Sequence, residues 1–267
     1  MDILKSEFQA SPQWFPYFGN QSRVADFIAG AFEWIGVRSG DSVFETNAGS
    51  HAISYVLNQR FGTHAIANDL GYYSNLIGKA LTGDMEAAKI VAKIASTIEL
   101  EGYQPEKVNE YHAMKWLDFI EKLPKAKNYE NIRGNLFETM KPADFIYCDF
   151  AWPWKDGTYT EEYEYTADRI GSLYGDTLVS EFKMASARRI LQDVIEYLDK
   201  ARKMAKKYVL LSNQSSNYPT FAVLETHMKA CGHEWIAQRN QMHKATFMDD
   251  CGKDKYFTEY LYIFEPN

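Results

Sequence analysis

The stretch Val43–Gly62, VFETNAGSHAISYVLNQRFG, decides the fold. It reads as the end of a strand, a tight turn of small residues and then an amphipathic helix. In that turn Ala48, Gly49 and Ser50 leave room for a ligand to approach the backbone amides at the start of the helix, where N–H groups lack intrahelical partners. The next strand ends in Asn68-Asp69. Asp69 follows the turn by about 20 residues, the place from which an acid accepts hydrogen bonds from ribose hydroxyls in nucleotide-binding α/β folds.

Outward from this unit, short runs rich in β-branched and aromatic residues predict strands over Asp41–Thr46, His64–Asn68, Ala143–Asp149, Lys207–Ser212, His233–Gln238 and Tyr256–Phe264. Three- and four-residue spacing of apolar side chains predicts helices over Arg23–Ile35, Ala52–Arg60, Ala187–Ala205 and Phe221–Lys229. Alternation of this kind implies an α/β fold, a doubly wound and mostly parallel sheet with ligands at the carboxyl ends of its strands. No helical run separates the last two strands, so they should close the sheet as an antiparallel hairpin. Leu70–Glu130 breaks the rhythm with helical patterns at Glu86–Glu99 and Val108–Leu123. Residues 71–130 are therefore expected to form a helical insertion, with 1–70 and 131–267 making the main domain; a long helical crossover fits the same composition.

The chain has 267 residues and a formal net charge of −7, which opposes nonspecific attraction to a polyanion. Aromatic residues make up 15% of it, enough to supply stacking surfaces as well as core. The three cysteines, Cys148, Cys231 and Cys251, are too far apart for a zinc cage and form no disulfide framework. No apolar run approaches the ~18 residues of a membrane span, and the first residues lack the pattern of a secretory leader. A reducing cytoplasm without membrane contact is the expected setting.

A second constellation follows the insertion. Gly134-Asn135-Leu136-Phe137 precedes the apolar strand that ends in Asp149, and Phe150-Ala151-Trp152-Pro153-Trp154 comes next. Further on, Ser212-Asn213-Gln214 ends a strong strand and should face the same rim as Asp149.

Taken together these segments resemble the Dam-like adenine-specific DNA methyltransferases. Their first motif runs acid–x–Phe–Ala–Gly–Ser–Gly, matched by Glu45-Thr46-Asn47-Ala48-Gly49-Ser50-His51; their second has Asn–Asp before Tyr–Ser, matched by Asn68-Asp69 and Tyr73-Ser74. Upstream, Tyr17-Phe18-Gly19-Asn20-Gln21 is similar to the family's Tyr–x–Gly–Asn–Lys segment. The resemblance implies a Rossmann-like methyltransferase fold that binds S-adenosylmethionine through Tyr17, Gly19, Asn20, Glu45, Asn47, Ala48, Gly49, Ser50, Asp69, Asn135 and Asp149. It also implies that a methyl group passes to the exocyclic amino group of adenine in DNA. In the family's Asp–Pro–Pro–Tyr motif the aspartate oxygen and the following carbonyl accept both amino hydrogens and draw the nitrogen toward tetrahedral geometry, while the closing aromatic stacks on the flipped base. Those parts fall on Asp149, Phe150 and Trp152. The chain departs from the pattern at Asn47 for an aromatic, His51 for a glycine and Gln21 for a lysine, and it lacks both prolines of the catalytic motif, which fix the turn's φ angles.

DNA contacts are expected in the insertion and in the tyrosine-rich Lys155–Ser180. The basic residues Arg188 to Lys207 read instead as the solvated face of a helix, and Arg239, His243 and Lys244 as a solvated loop. Two other readings fit the same residues: a degenerate relative that binds DNA or protein without catalysis, and a methyltransferase for a non-DNA acceptor, which the acidic charge would suit.

Overall fold

A computed structural model describes residues 14–17, 21–101, 110–150, 152–153, 189–248 and 254–267. The described residues fall into two compact units, one up to Thr139 and the other from Met140 onward.

In the first unit a 3-10 turn at Gln21–Arg23 leads into α1 (Ala25–Trp34), β1 (Ser42–Glu45), α2 (Ala52–Phe61) and β2 (His64–Asp69). Three helices follow: α3 (Tyr72–Leu81), α4 (Met85–Glu101) and α5 (Glu110–Lys122). The unit closes with β3 (Tyr129–Arg133) and the short α6 (Leu136–Thr139). The strands run parallel in the order β3-β2-β1, with Ser42 opposite His64 and Ala65 opposite Tyr129. Apolar faces of α3, α4 and α5 bury Ile77, Val91, Ala95 and Ile120 completely, in one core with Phe15 and Tyr55. The described residues of α3, α4 and α5 lie between β2 and β3 in chain order, and their core is continuous with that of α2.

The second unit holds β4 (Ala143–Asp149), α7 (Ile190–Met204), β5 (Ala205–Gln214), α8 (Phe221–Ala230), β6 (Ala237–Met248) and β7 (Asp254–Phe264). Its strands lie in the order β4-β5-β7-β6. The β4–β5 pair is parallel, and β7 runs antiparallel to both neighbours. The seven strands are of the Rossmann-like α/β class the sequence predicts, closed by the expected antiparallel hairpin.

Two expectations are corrected. β3 was not expected as a strand; all five of its residues are half-buried and it pairs only with β2, so it lacks the apolar run of an interior strand. The sixth strand starts at Ala237, not at His233. Gly232, in the left-handed conformation at φ 82°, turns the chain out of α8, and His233 N–H bonds back to the Met228 carbonyl. Arg239, His243 and Lys244 accordingly lie on a strand, not in a loop. On α7 the apolar stripe Ile190, Val194, Tyr197, Leu198 and Ala201 is buried, as its periodicity requires.

Candidate functional site

The glycine turn between β1 and α2 is built around Asp69. Its Oδ2 accepts the Gly49 N–H at 2.8 Å and its Oδ1 the Gly71 N–H at 2.7 Å. Burial raises the Asp69 carboxyl above its ordinary value, while these backbone bonds and the Arg133 charge oppose the rise. A carboxylate has about four lone-pair sites. At least two are taken by the backbone, and the Leu70 amide bears on the carboxylate as well. Gly49 adopts φ 49°, and a Cβ there would meet the Tyr17 ring at 3.4 Å. Tyr17 in turn stacks on Tyr73, with centroids 5.9 Å apart at 15°.

Around the turn, Ala48 N–H bonds to the Asn68 carbonyl, and the Ser50 carbonyl accepts the Trp14 indole N–H at 2.9 Å. Asn47 is half-buried. Glu45 is buried, and its Oε2 accepts both the Ser54 amide at 3.0 Å and the Ser54 hydroxyl. A carboxylate on the third amide of α2 satisfies a donor that the helix leaves open. Glu45 therefore serves as the helix's anchor to β1, whatever else it binds. Asn135 is exposed and caps α6, its Oδ1 accepting the Phe137 N–H at 2.9 Å. Gly19 and Asn20 lie outside the described residues.

His51 takes the family's glycine position without blocking the turn. It holds the left-handed backbone conformation, φ 61°, and sends its ring inward, where it is fully buried. Nε2 lies 2.8 Å from the Ser74 carbonyl oxygen, which can only accept, so Nε2 carries the proton; Nδ1 then accepts from the Tyr129 hydroxyl at 2.8 Å. Burial lowers the His51 pKa to about 4 against the help of the Ser74 bond, so the ring is neutral at pH 7. Tyr129 is pushed well up, by burial first and by the Glu45 charge second. Gly78 faces this ring: a Cβ there would come within 2.7 Å of His51 and 2.6 Å of Asn131.

Sequence reading passed over Asn68, quoted only as the acid's companion. Its Nδ2 donates to the Thr46 carbonyl at 2.9 Å and the Gly134 carbonyl at 3.1 Å, and its Oδ1 accepts from Thr139. One buried amide thus ties the ends of β1 and β2 to the turn before α6. Thr46 Oγ, also buried, has no hydrogen-bond partner among the described residues. A glycine turn, a carboxylate fixed by backbone amides and an orphaned hydroxyl beside them fit a nucleoside-type ligand.

The aspartate turn belongs to the second unit. Asp149 ends β4 opposite Ser212 of β5, as the shared rim requires. The Trp152 indole N–H is divided between Asp149 Oδ1 at 3.0 Å and the Ser212 carbonyl at 3.1 Å. Trp152 is 4% exposed and lies edge-on to Phe150, which packs edge-on against Tyr197. Its ring is a clamp on Asp149 in this arrangement, with little surface for a base. The Pro153 carbonyl receives the Tyr218 N–H at 2.8 Å, fixing the turn's far side. Trp154 and Lys155–Ser180 lie outside the described residues. Among the described residues no helix is long and apolar enough to cross a membrane, and no cluster of three potential metal ligands occurs.

Solved structures similar to the chain include a suggested RNA methyltransferase of Pyrococcus horikoshii (14% identity, 100% of this chain and 99% of that one, TM-score 0.48). Magnesium protoporphyrin IX methyltransferase of Synechocystis, solved with bound S-adenosylmethionine, is 10% identical over 91% of this chain and 78% of that one, with a TM-score of 0.45. The tRNA (m1A58) methyltransferase of Aquifex aeolicus is 11% identical over 91% and 69%, with a TM-score of 0.42. No protein-family model matches the chain, and no curated protein does. Likenesses this distant leave the site's chemistry to be argued from its own residues.

Proposed function

We propose that the chain is an S-adenosylmethionine-dependent methyltransferase whose acceptor is an exocyclic amino nitrogen, that of adenine in DNA. The observation that carries the cofactor half is the Asp69 carboxylate, held by the Gly49 and Gly71 amides at the end of β2, the place from which an acid accepts ribose hydroxyls. Gly49 stands beside it in the left-handed conformation, under the Tyr17 ring, and Thr46 Oγ is a buried polar atom without a hydrogen-bond partner among the described residues. When bound, the cofactor supplies an electrophilic methyl group.

The acceptor half rests on Asp149. An aryl amine is a poor nucleophile because its lone pair is delocalised into the ring. A carboxylate that accepts an amino hydrogen localises that pair and orients it, and positioning of this kind supplies most of the rate. In this reading Phe150 contributes its carbonyl as second acceptor, and Trp152 steadies Asp149 through its indole N–H.

Two observations favour a non-DNA acceptor within the same chemistry. Trp152 is folded in, so base stacking at that position is not provided for, and the net charge of −7 opposes a polyanion. Calorimetry with S-adenosylmethionine tests the cofactor. A labelled-methyl assay on mixed DNA, RNA and small aryl amines tests the acceptor: label in DNA adenine supports the finer reading, label in another amine replaces it, and no cofactor binding removes both.

A further inference from the structure

β7 carries an acid that no motif picks out. Glu259 is 0% exposed, at the register position opposite Gln214 on β5 and Gln241 on β6. Ser212 Oγ donates a hydrogen bond to its Oε1. Oε2 has no hydrogen-bond partner among the described residues. Ser212 is also the register partner of Asp149, and its carbonyl shares the Trp152 indole N–H with Asp149. Asp149, Ser212 and Glu259 therefore form one connected group across three strands, with the Trp152 turn hung from it.

A buried carboxylate with an unpaired oxygen is unfavourable, and a second carboxylate nearby makes it more so. Burial, and then the charge of Asp149, push the Glu259 carboxyl well above the ordinary range against the hydrogen bonds from Ser212 and Gln214. On β5 and β6 the pleat places Ser212, Gln214, Gln241, Arg239 and His243 on the face of Glu259. Arg239 and His243 flank Gln241 on β6, and burial favours the neutral form of His243. From β4 comes Asp149, the charge that bears on Glu259.

We propose that Glu259 is a positioning residue of the Asp149 turn, carrying the single proton that the two carboxyl groups hold between them and so leaving Asp149 as the ionised acceptor. The inference rests on the methyl-transfer reading for its purpose, not for its proton. In that reaction the amine nitrogen forms a bond to the methyl carbon, the carbon–sulfur bond breaks with its electron pair going to sulfur, and the surplus proton on nitrogen passes to the Asp149 carboxylate. Glu259 stays neutral throughout. The pair thus holds one negative charge before transfer and none immediately after it, and never two.

Infrared titration of the full chain reads the proton directly. The wild type should show a carboxylic-acid carbonyl band at pH 7 that Glu259→Gln lacks. In Asp149→Asn, which removes the neighbouring charge, the same band should titrate away roughly one pH unit or more lower. Because that second readout is on Glu259 itself, it stands even where Glu259→Gln folds poorly. In the transfer assay, Glu259→Gln should abolish the alkaline limb of the kcat–pH profile, a change that a purely structural role would not make. A wild type without the band at neutral pH, or a band indifferent to Asp149→Asn, overturns the proposal. A band that behaves as expected in a chain that methylates no amine leaves the shared proton in place and sinks the methyltransferase reading instead.

Discussion

The turn at Gly49 and the turn at Asp149 each follow a strand of a parallel pair, yet they are held in opposite ways. At the first, a side chain is fixed by the backbone: both oxygens of Asp69 take main-chain amides. At the second, side chains fix one another, through the Trp152 indole, the Ser212 hydroxyl and the buried acid Glu259. A turn held by the backbone tolerates changes around it and depends on its backbone conformation, left-handed at both Gly49 and His51. One held by side chains depends on the charge state of its members. Binding should therefore be governed by conformation at Gly49, and chemistry by protonation at Asp149.

The largest break in this comparison should come from Asp149→Asn. It should lower labelled-methyl transfer by roughly 100-fold or more, the scale seen when a single oriented polar partner of the transition state is lost, with S-adenosylmethionine affinity nearly intact. Equal losses of binding and turnover would show the two turns to be one device. Next is His51, which unites α2, α3 and β3 as a neutral ring. Its pKa falls from 6.5 to about 4 in the folded chain, so between those values the unfolded chain binds a proton that the folded one refuses. Stability present above pH 6.5 should be lost as pH falls toward 4, on the order of 3 kcal/mol. Denaturant melts across that window should show the slope, and His51→Gln should flatten it.

Gly49→Ala sharpens the comparison on a smaller scale. Strain at φ 49° should cost about 1–2 kcal/mol and weaken cofactor binding, leaving the pH dependence of transfer unchanged. Trp152→Phe should do the reverse. Loss of the divided indole bond should cost about 1 kcal/mol in thermal melts and alter the pH profile of transfer, with little effect on cofactor affinity.

What could be read from the sequence divides along the same line. Gly49 and Asp69 were legible because a turn between strand and helix needs small residues at one place and an acid one strand later. Six of the strands announced themselves through β-branched and aromatic runs. β3 did not, since its half-buried sequence Tyr129–Arg133 carries no alternation. β6 was placed too early for a related reason: it ends the strand order, and its polar residues from Gln238 to Lys244 hide the strand period. His51 could be read only as a departure from a glycine position, because sequence shows a side chain and not its direction. Its ring fits only because Gly78 on α3 leaves the space. Glu259 was invisible, being joined to Asp149 through the register of β4, β5 and β7, which no local pattern encodes.

The central claim, which rests on the proposed function, is that S-adenosylmethionine binding depends on the Asp69 carboxylate far more than on that of Asp149. Calorimetry on the wild type, Asp69→Asn and Asp149→Asn tests it in one series. The account predicts binding by the wild type and by Asp149→Asn, and severe weakening in Asp69→Asn with the chain still folded. A wild type that takes up no cofactor, or an Asp69→Asn variant that binds as well as it, would contradict the account.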